Sequence, residues 1–307
     1  MAGLFRRRGN CPDSIEQPLA VSWPRVYAPQ MFLHRLAIVL LAVAPRLVAA
    51  SELPEGVTAT PLQERITLYE VRSASLDKPM AFTIVFPEGY ESRSEPWPVL
   101  FFLHGLGRHE RTLIDDLPSR ERLLAQPYII VLPRGENGWY IDSPFDPGRQ
   151  YGAWLDEAIA LAGKVARLSP DRAHRAIGGW SAGGFGSTWA CLRHPDAFSV
   201  LATIIAVNDF PTASARFPIA AGTFGTDPAQ WPRFNPLLRA AELKHLKTLL
   251  VIGDTASDAP MNDRFAAALT AAGAPPKVVR LSGGHTFPVV QEGLGHVLDF
   301  VRSQIAP

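Results

Sequence analysis

The apolar positions of this chain fall into strand-like and helix-like runs that alternate from about residue 65 to the C-terminus. Residues 65–71 and 80–86 alternate polar and apolar side chains, which is typical of half-exposed strands, and we expect them to pair as an antiparallel edge. Further strand-like runs, most of them continuously apolar, predict strands buried on both faces of a parallel sheet. These runs cover residues 98–103, 128–133, 174–180, 198–205, 247–253 and 277–281.

Segments with helical spacing of apolar residues lie between these strands, at residues 113–124, 151–168, 262–272 and 289–305. The alternation predicts an α/β fold with a mostly parallel, doubly wound sheet and helices on both faces. Residues 207–235 interrupt the pattern, because prolines, glycines and bulky aromatic residues follow no period there. A long irregular segment inside a compact domain is usually functional, so we expect a small cap over the ligand pocket.

Composition narrows the classes of protein without naming one. The 307 residues are 47% hydrophobic and 19% charged, with a net charge of +1, which fits one large or two small globular domains. The charge balance gives no support for nucleic-acid binding. Cys11 and Cys191 are too few for a disulfide framework or a zinc-type spacing, and no His-Glu-x-x-His or phosphate-binding loop occurs. We therefore expect neither a metal nor a cofactor.

The N-terminal region has the character of a targeting segment. Residues 31–35 form a short basic start, residues 36–44 are apolar, and small residues lead up to Ala50. This pattern predicts a secretory signal peptide, too short for a stable membrane span, with Met31 as the true start and cleavage after Ala50. The exported chain would then be one catalytic domain over residues 51–307, in the periplasm or outside the cell. The alternative is a cytoplasmic extension over residues 1–30 followed by a single anchor helix.

The sequence Gly179-Trp180-Ser181-Ala182-Gly183 joins a predicted strand to a small-residue helix. A Gly-x-Ser-x-Gly sequence in that setting predicts a sharp turn that holds the serine hydroxyl above the sheet. The glycines allow strand and helix to approach closely. Ser181 is therefore the candidate nucleophile, and the Ala182 N–H is a candidate donor to a developing oxyanion. The alternative is a glycine-rich turn with a passive serine.

The remaining partners of a serine nucleophile follow along the chain in the order acid, then histidine. A serine hydroxyl needs a base to remove its proton, and His285 after the last predicted strand is the candidate. The base needs a carboxylate that holds its tautomer, and both Asp254 and Asp258 follow the strand at 247–253. Asp258 is favoured because it lies further along the loop, whereas Asp254 directly follows the strand and can cap its own turn.

Two other loops contribute candidate site residues. The turn His104-Gly105-Leu106-Gly107 follows a buried strand, and we assign its Leu106 N–H as the second oxyanion donor. His104 is expected to be a structural turn residue. The loop over residues 134–144 lies at the carboxyl end of the next strand, where ligand crevices form, so Trp139 and Tyr140 are candidate substrate contacts. Packing beneath the loop is the alternative for these two aromatic residues.

Several of these motifs together resemble the esterase D family of α/β-hydrolases, which includes tributyrin, feruloyl and enterochelin esterases and mycolyltransferases. The resemblance spans residues 82–300 and is carried by residues 104–107, 132–144, 179–186, 194–198, 235–236 and 283–285. It implies an α/β-hydrolase fold, with Ser181 and His285 at the family's nucleophile and base. The acidic loop is out of register with the family pattern. The oxyanion turn is more similar to tributyrin or feruloyl esterases than to S-formylglutathione hydrolases.

These observations predict an exported serine carboxylesterase that acts on a small-molecule ester through an acyl-enzyme. An acyltransferase that delivers the acyl group to a sugar or lipid alcohol would use the same residues. A secreted, non-catalytic binding protein on the same scaffold is the alternative of a different class. The sequence leaves the identity of the ester and the oligomeric state open.

Overall fold

The computed structural model of the chain describes residues 53–212 and 217–306. These residues belong to one compact unit. The predicted N-terminal extension, signal peptide and cleavage after Ala50 lie outside the described residues. Within the described part of the chain, no helix is long and apolar enough to cross a membrane.

The centre of the described structure is a nine-stranded sheet with the order β1-β2-β3-β5-β4-β6-β7-β8-β9. The first three strands are antiparallel and join β5 in antiparallel fashion, whereas every pair from β5 to β9 is parallel. The expected antiparallel edge is therefore confirmed. The strands are β1 (Thr58–Gln63), β2 (Ile66–Ser73), β3 (Lys78–Val85), β4 (Val99–Leu103), β5 (Ile129–Pro133), β6 (Arg175–Trp180), β7 (Val200–Ile204), β8 (Lys247–Gly253) and β9 (Lys277–Leu281).

Helices cover both faces of this sheet, as the continuous apolar runs of its central strands require. One core packs α3, α4 and α6 against one face, and the other core packs α2 and α7 against the opposite face. The predicted α/β-hydrolase architecture is thus present. The helices are α1 (Thr112–Asp115), α2 (Leu117–Leu124), α3 (Tyr151–Val165), α4 (Ala182–Arg193), α5 (Ala221–Phe224), α6 (Ala259–Ala271) and α7 (Phe287–Ile305).

One predicted helix is divided in the structure, and one strand was not predicted. The single helix predicted over residues 113–124 is divided between α1 and α2 at Asp116, which has extended backbone angles and accepts a hydrogen bond from the Ser119 N–H. That N-cap bond begins a new helix. Strand β1 was missed because it is an exposed edge strand that contains Pro61, so it lacks an apolar pattern.

The described part of the irregular segment packs over the start of α4. It includes α5 and a 3₁₀ helix, Pro228–Phe234, and its aromatic rings form a third core together with rings from α4 and from the loop after β5. Asp209 fastens the segment to α6, because one carboxylate oxygen accepts a hydrogen bond from Asn235 at 2.8 Å and the other pairs with Arg264 at 2.5 Å. The rings of this core include Trp139, Phe185, Phe210, Phe224 and Phe234.

Candidate active site

Ser181 lies in a strained turn between β6 and α4. Its backbone angles are φ 54° and ψ −122°, which a side-chain-bearing residue rarely adopts. The flanking glycines make this turn sterically feasible. A Cβ on Gly179 would lie 2.5 Å from the Leu103 carbonyl oxygen, and one on Gly183 would lie 2.2 Å from the same atom. Any other residue at either position would push the turn away from the end of β4.

The turn presents the Ser181 hydroxyl to an imidazole from the other end of the fold. His285 lies in the short segment between β9 and α7, and its Nε2 is 2.8 Å from Ser181 Oγ. Its Nδ1 is 2.6 Å from Oδ1 of Asp258. Asp258 is fully buried at the start of α6, whereas the His285 side chain keeps 24% of its surface exposed. The three side chains therefore form one continuous line of hydrogen bonds.

Asn262, one helical turn after Asp258, holds the second oxygen of this carboxylate. Its Nδ2 donates to Asp258 Oδ2 at 2.9 Å and to the Ala206 carbonyl oxygen at 2.7 Å. Since the carboxylate accepts on both oxygens, it favours the tautomer in which His285 carries a proton on Nδ1 and has a free lone pair on Nε2. That lone pair is the acceptor that the Ser181 hydroxyl needs.

The competing acid, Asp254, serves the neighbouring turn instead. Its Oδ1 accepts a hydrogen bond from the Gly283 N–H at 2.8 Å, and the residue is exposed at the end of β8. In this position it ties the β8 turn to the loop that carries His285. The structure thus brings Asp258, and not Asp254, to the imidazole.

Two backbone donors stand beside the serine without a partner. In the described residues, neither the Leu106 N–H nor the Ala182 N–H donates a hydrogen bond to any group. Ala182 is the first residue of α4, so the positive end of that helix dipole lies at the Ala182 N–H. The Leu106 turn is pressed against the serine, since a Cβ on Gly105 would lie 3.2 Å from the Ser181 Cβ. Unpaired N–H groups in this place are suited to an oxyanion.

His104 anchors this turn as a neutral imidazole. Its Nδ1 lies 2.8 Å from the Gly105 carbonyl oxygen, and its Nε2 accepts the Gly135 N–H at 2.8 Å. These two backbone partners require a proton on Nδ1 and none on Nε2. Burial lowers the pKa of His104 to about 4, so the ring stays uncharged near neutral pH. The expected role as a structural turn residue agrees with this environment.

Tyr140 does not reach the pocket, contrary to the substrate contact expected for it. The residue is 1% exposed, and its hydroxyl accepts the His104 N–H at 3.0 Å. Burial raises the pKa of this phenol well above its ordinary value, so it remains protonated. The loop turns inward here because Gly135 and Gly186 leave room for the ring. Tyr140 therefore supports the oxyanion turn from behind.

Trp139 is almost as buried, yet it reaches a cavity. Its ring stacks on Phe210 at a centroid distance of 4.7 Å within the aromatic core. It also lines an open cavity of about 450 Å³ together with Leu106 and residues 218–220. A second cavity, of about 180 Å³, contains Ser181 and His285, and Leu106 lines this one as well. Leu106 therefore lines both cavities, and Ser181 lines the smaller one.

Sequence reasoning missed three supports of the site. Asn262 was assigned only to a helix, although its spacing of four residues from Asp258 places both on one helix face. The buried Glu110 binds Arg134 through two hydrogen bonds of 2.7 and 2.8 Å below the oxyanion turn. The contact of Tyr140 with His104 joins loops far apart in sequence, and no local pattern encodes it. The described residues contain no cluster of side chains that could hold a metal ion.

Residues 73–277 match the model of the family described as "Putative esterase". The chain belongs to this esterase family. Family membership makes it a serine hydrolase that acts on ester bonds. A comparison with curated proteins by sequence gives no significant match.

Solved structures of this esterase's fold include several enzymes. It is similar to a ferulic acid esterase with a TM-score of 0.64 and 23% identity, covering 77% of this chain and 97% of the other. The serine hydrolase FphF of Staphylococcus aureus, a fluorophosphonate-binding protein, gives a TM-score of 0.68 at 18% identity, covering 77% and 97%. An S-formylglutathione hydrolase from Agrobacterium tumefaciens gives 0.68 at 18%, covering 82% and 100%.

Proposed function

We propose that this esterase is an exported carboxylesterase that cleaves small-molecule esters through an acyl-enzyme on Ser181. The observation that carries the proposal is the unbroken hydrogen-bond line from Asp258 through His285 to the serine hydroxyl, with heavy-atom distances of 2.6 and 2.8 Å. Three side chains from three separate loops meet in the order that nucleophilic catalysis requires.

Acylation would proceed by attack of Ser181 Oγ on the ester carbonyl carbon. His285 Nε2 takes the hydroxyl proton as the C–O bond forms, and the buried Asp258 carboxylate stabilises the resulting imidazolium. The carbonyl oxygen becomes an oxyanion that accepts hydrogen bonds from the N–H groups of Leu106 and Ala182. Collapse breaks the bond to the alcohol oxygen, which receives the proton from His285. Water then attacks the acyl-enzyme with His285 as the base, and the carboxylic acid is released from Ser181.

The dimensions of the two cavities support an ester of small molecules as substrate. The space around Ser181 and His285 is about 180 Å³, and the space beyond Leu106 is about 450 Å³ and opens beside Trp139. Leu106 lines both cavities, so one part of an ester bound at Ser181 could extend past Leu106 toward Trp139. The names of similar structures add aryl-acid esters and thioesters to the substrates worth assaying.

Replacement of the serine tests the proposal. Ser181→Ala should reduce kcat for p-nitrophenyl butyrate by at least about a thousandfold, because the nucleophile is lost. Ser257→Ala is the matched control, since Ser257 is an exposed serine on the loop that leads to Asp258. Turnover by Ser181→Ala within tenfold of the parent, with the control unchanged, would refute an acyl-enzyme on this residue.

Export is supported by the sequence of residues 31–50 alone. Expression of the full gene in a bacterial host with a secretion pathway, followed by N-terminal sequencing of the soluble protein, should give a chain that begins at Ser51. Replacement of Ala50 by a large residue should leave the signal uncleaved, because signal cleavage needs a small residue there. A cytoplasmic product that begins at Met1 or Met31, or a product retained in the membrane, would overturn this part.

A further inference from the structure

The cavity that contains Ser181 and His285 has an uneven distribution of charge. The described residues that line it include one permanently cationic side chain, Arg108, and no carboxylate. The nearest acidic residues in sequence are engaged elsewhere. Glu110 pairs with Arg134, and Asp115 pairs with Arg111 at 3.0 Å. The charge of Arg108 is therefore not neutralised by either of them.

Arg108 is positioned by a ring and not by a hydrogen bond. Its guanidinium carbon lies 5.1 Å from the centre of the Phe287 ring, which also lines the cavity. In the described part of the chain, its side chain makes no ion pair and no hydrogen bond. A ring covers one face of a guanidinium but leaves the in-plane N–H donors available. Those donors match the two oxygens of a carboxylate.

The start of α7 adds positive potential to the same cavity. Thr286 and Phe287, the N-cap and first residue of this long helix, line the same cavity. No side chain caps the helix, and in the described residues the Phe287 N–H has no acceptor. The positive end of the helix therefore reinforces the charge of Arg108 on the same wall of the cavity.

We propose that Arg108 selects esters that carry a carboxylate on the part of the substrate that occupies this cavity. The inference rests on the proposed function, because it concerns the substrate of the same serine. Arg108 and Ser181 line the same cavity of about 180 Å³, so the carboxylate would lie a short chain away from the reacting ester. The carboxylate belongs either to the acyl group or to the alcohol, and the geometry of recognition is the same for both.

Matched pairs of substrates separate these two sources. Monoethyl succinate and ethyl 4-methylpentanoate compare a carboxylate with an isopropyl group in the acyl part. The acetate ester of 3-hydroxypropanoate and isopentyl acetate make the same comparison in the alcohol part. Product release is followed by chromatography with the full mature chain. We expect kcat/KM to favour the anionic member of one pair by about fivefold, as a partly exposed ion pair allows.

Substitution of Arg108 then assigns the preference to this residue. Arg108→Gln should reduce the anionic-to-neutral ratio of kcat/KM to about one, and Arg108→Lys should keep part of it because the charge remains. Arg233→Gln is the matched control. Arg233 also lies over phenylalanine rings and has no ion pair among the described residues, but it lines neither of the two cavities that Leu106 lines. The control should leave the ratio unchanged. Raising NaCl to about 0.5 M should lower the parent ratio by screening.

The outcomes for the proposal and for the proposed function are distinct. Hydrolysis of the neutral esters with no preference for either anionic partner, or a preference that survives in Arg108→Gln, would overturn the inference while the serine mechanism stands. Loss of the preference in Arg233→Gln would also overturn it. Activity that persists in Ser181→Ala would instead refute the proposed function itself.

Discussion

Exchange of the buried carboxylate for its amide, Asp258→Asn, probes the hydrogen-bond line with the least change in shape. The new side chain has one acceptor oxygen and one NH₂ group. In the parent, Asn262 Nδ2 donates at 2.9 Å to Asp258 Oδ2, the carboxylate oxygen that does not face His285. Two facing donors repel, so the amide oxygen should turn toward Asn262. The NH₂ group then faces His285, which must present an unprotonated Nδ1 and carry its proton on Nε2.

That tautomer cannot accept the proton of Ser181. A carboxylate-to-amide exchange of this kind costs a serine triad about 10⁴-fold in kcat, and we expect a loss of that order here. Asp258 is fully buried, so water cannot substitute for the lost acceptor. Asp254→Asn is the control. Its exposed side chain accepts one N–H from Gly283 at 2.8 Å, and an amide oxygen can accept the same bond. Its kcat should stay within about threefold of the parent.

The assay is steady-state hydrolysis of p-nitrophenyl butyrate by both variants and the parent, with circular dichroism and Tm as measures of folding. A folded Asp258→Asn protein that retained more than a tenth of the parent kcat would show that the Asp258 carboxylate does not set the tautomer of His285. A larger loss of kcat in Asp254→Asn than in Asp258→Asn would identify Asp254, at the end of β8, as the catalytic acid. Either result would require a different source of the His285 tautomer.

Three further predictions concern the supports of the site. Asn262→Ala should lower kcat about tenfold with little change in KM, because one donor to the carboxylate is lost, and the pH profile of kcat should shift with it. Gly183→Ala should lower the free energy of unfolding by about 2–3 kcal/mol in urea titrations, since its Cβ would lie 2.2 Å from a carbonyl oxygen. Gly163→Ala, in α3 with nothing within 4 Å of the new Cβ, should instead stabilise the fold by up to about 1 kcal/mol. Because burial lowers the pKa of His104 to about 4, the unfolded chain binds a proton there before the folded chain does, so stability should fall by about 3 kcal/mol as pH decreases from 6.5 to 4. His104→Gln should remove that part of the pH dependence, and an unchanged slope in the variant would contradict the assignment.

The elements that the sequence predicts well are those whose burial is uniform. Strands β4, β5, β7 and β8 are buried almost throughout and appear as continuous apolar runs, so their positions and the parallel order follow from pattern alone. Strand β1 has mostly exposed residues, and its position depends on pairing with β2, which a local pattern does not encode. The division between α1 and α2 depends on one capping side chain, Asp116.

Some residues of the candidate site can be predicted from the sequence, and others cannot. Ser181 and His285 are marked by glycines and by their places at strand ends, so the residue types and their order suffice to find them. The choice of Asp258 depended on loop length, and only the structure shows its carboxylate at His285 Nδ1. Tyr140 could not be placed, because the same aromatic residue in a loop can line a pocket or pack beneath it. Contacts between distant loops decide that outcome.

Covalent labelling shows whether Ser181 is the nucleophile. The full chain is treated with a fluorophosphonate, digested, and its peptides are sequenced by mass spectrometry, with heat-denatured protein as the control for nonspecific reaction. We expect about one phosphonyl group per native chain, on Ser181 alone, and slow labelling in Asp258→Asn at the same protein concentration. A native chain that takes no label, which a non-catalytic binding protein would show, or a label on a different residue would contradict it.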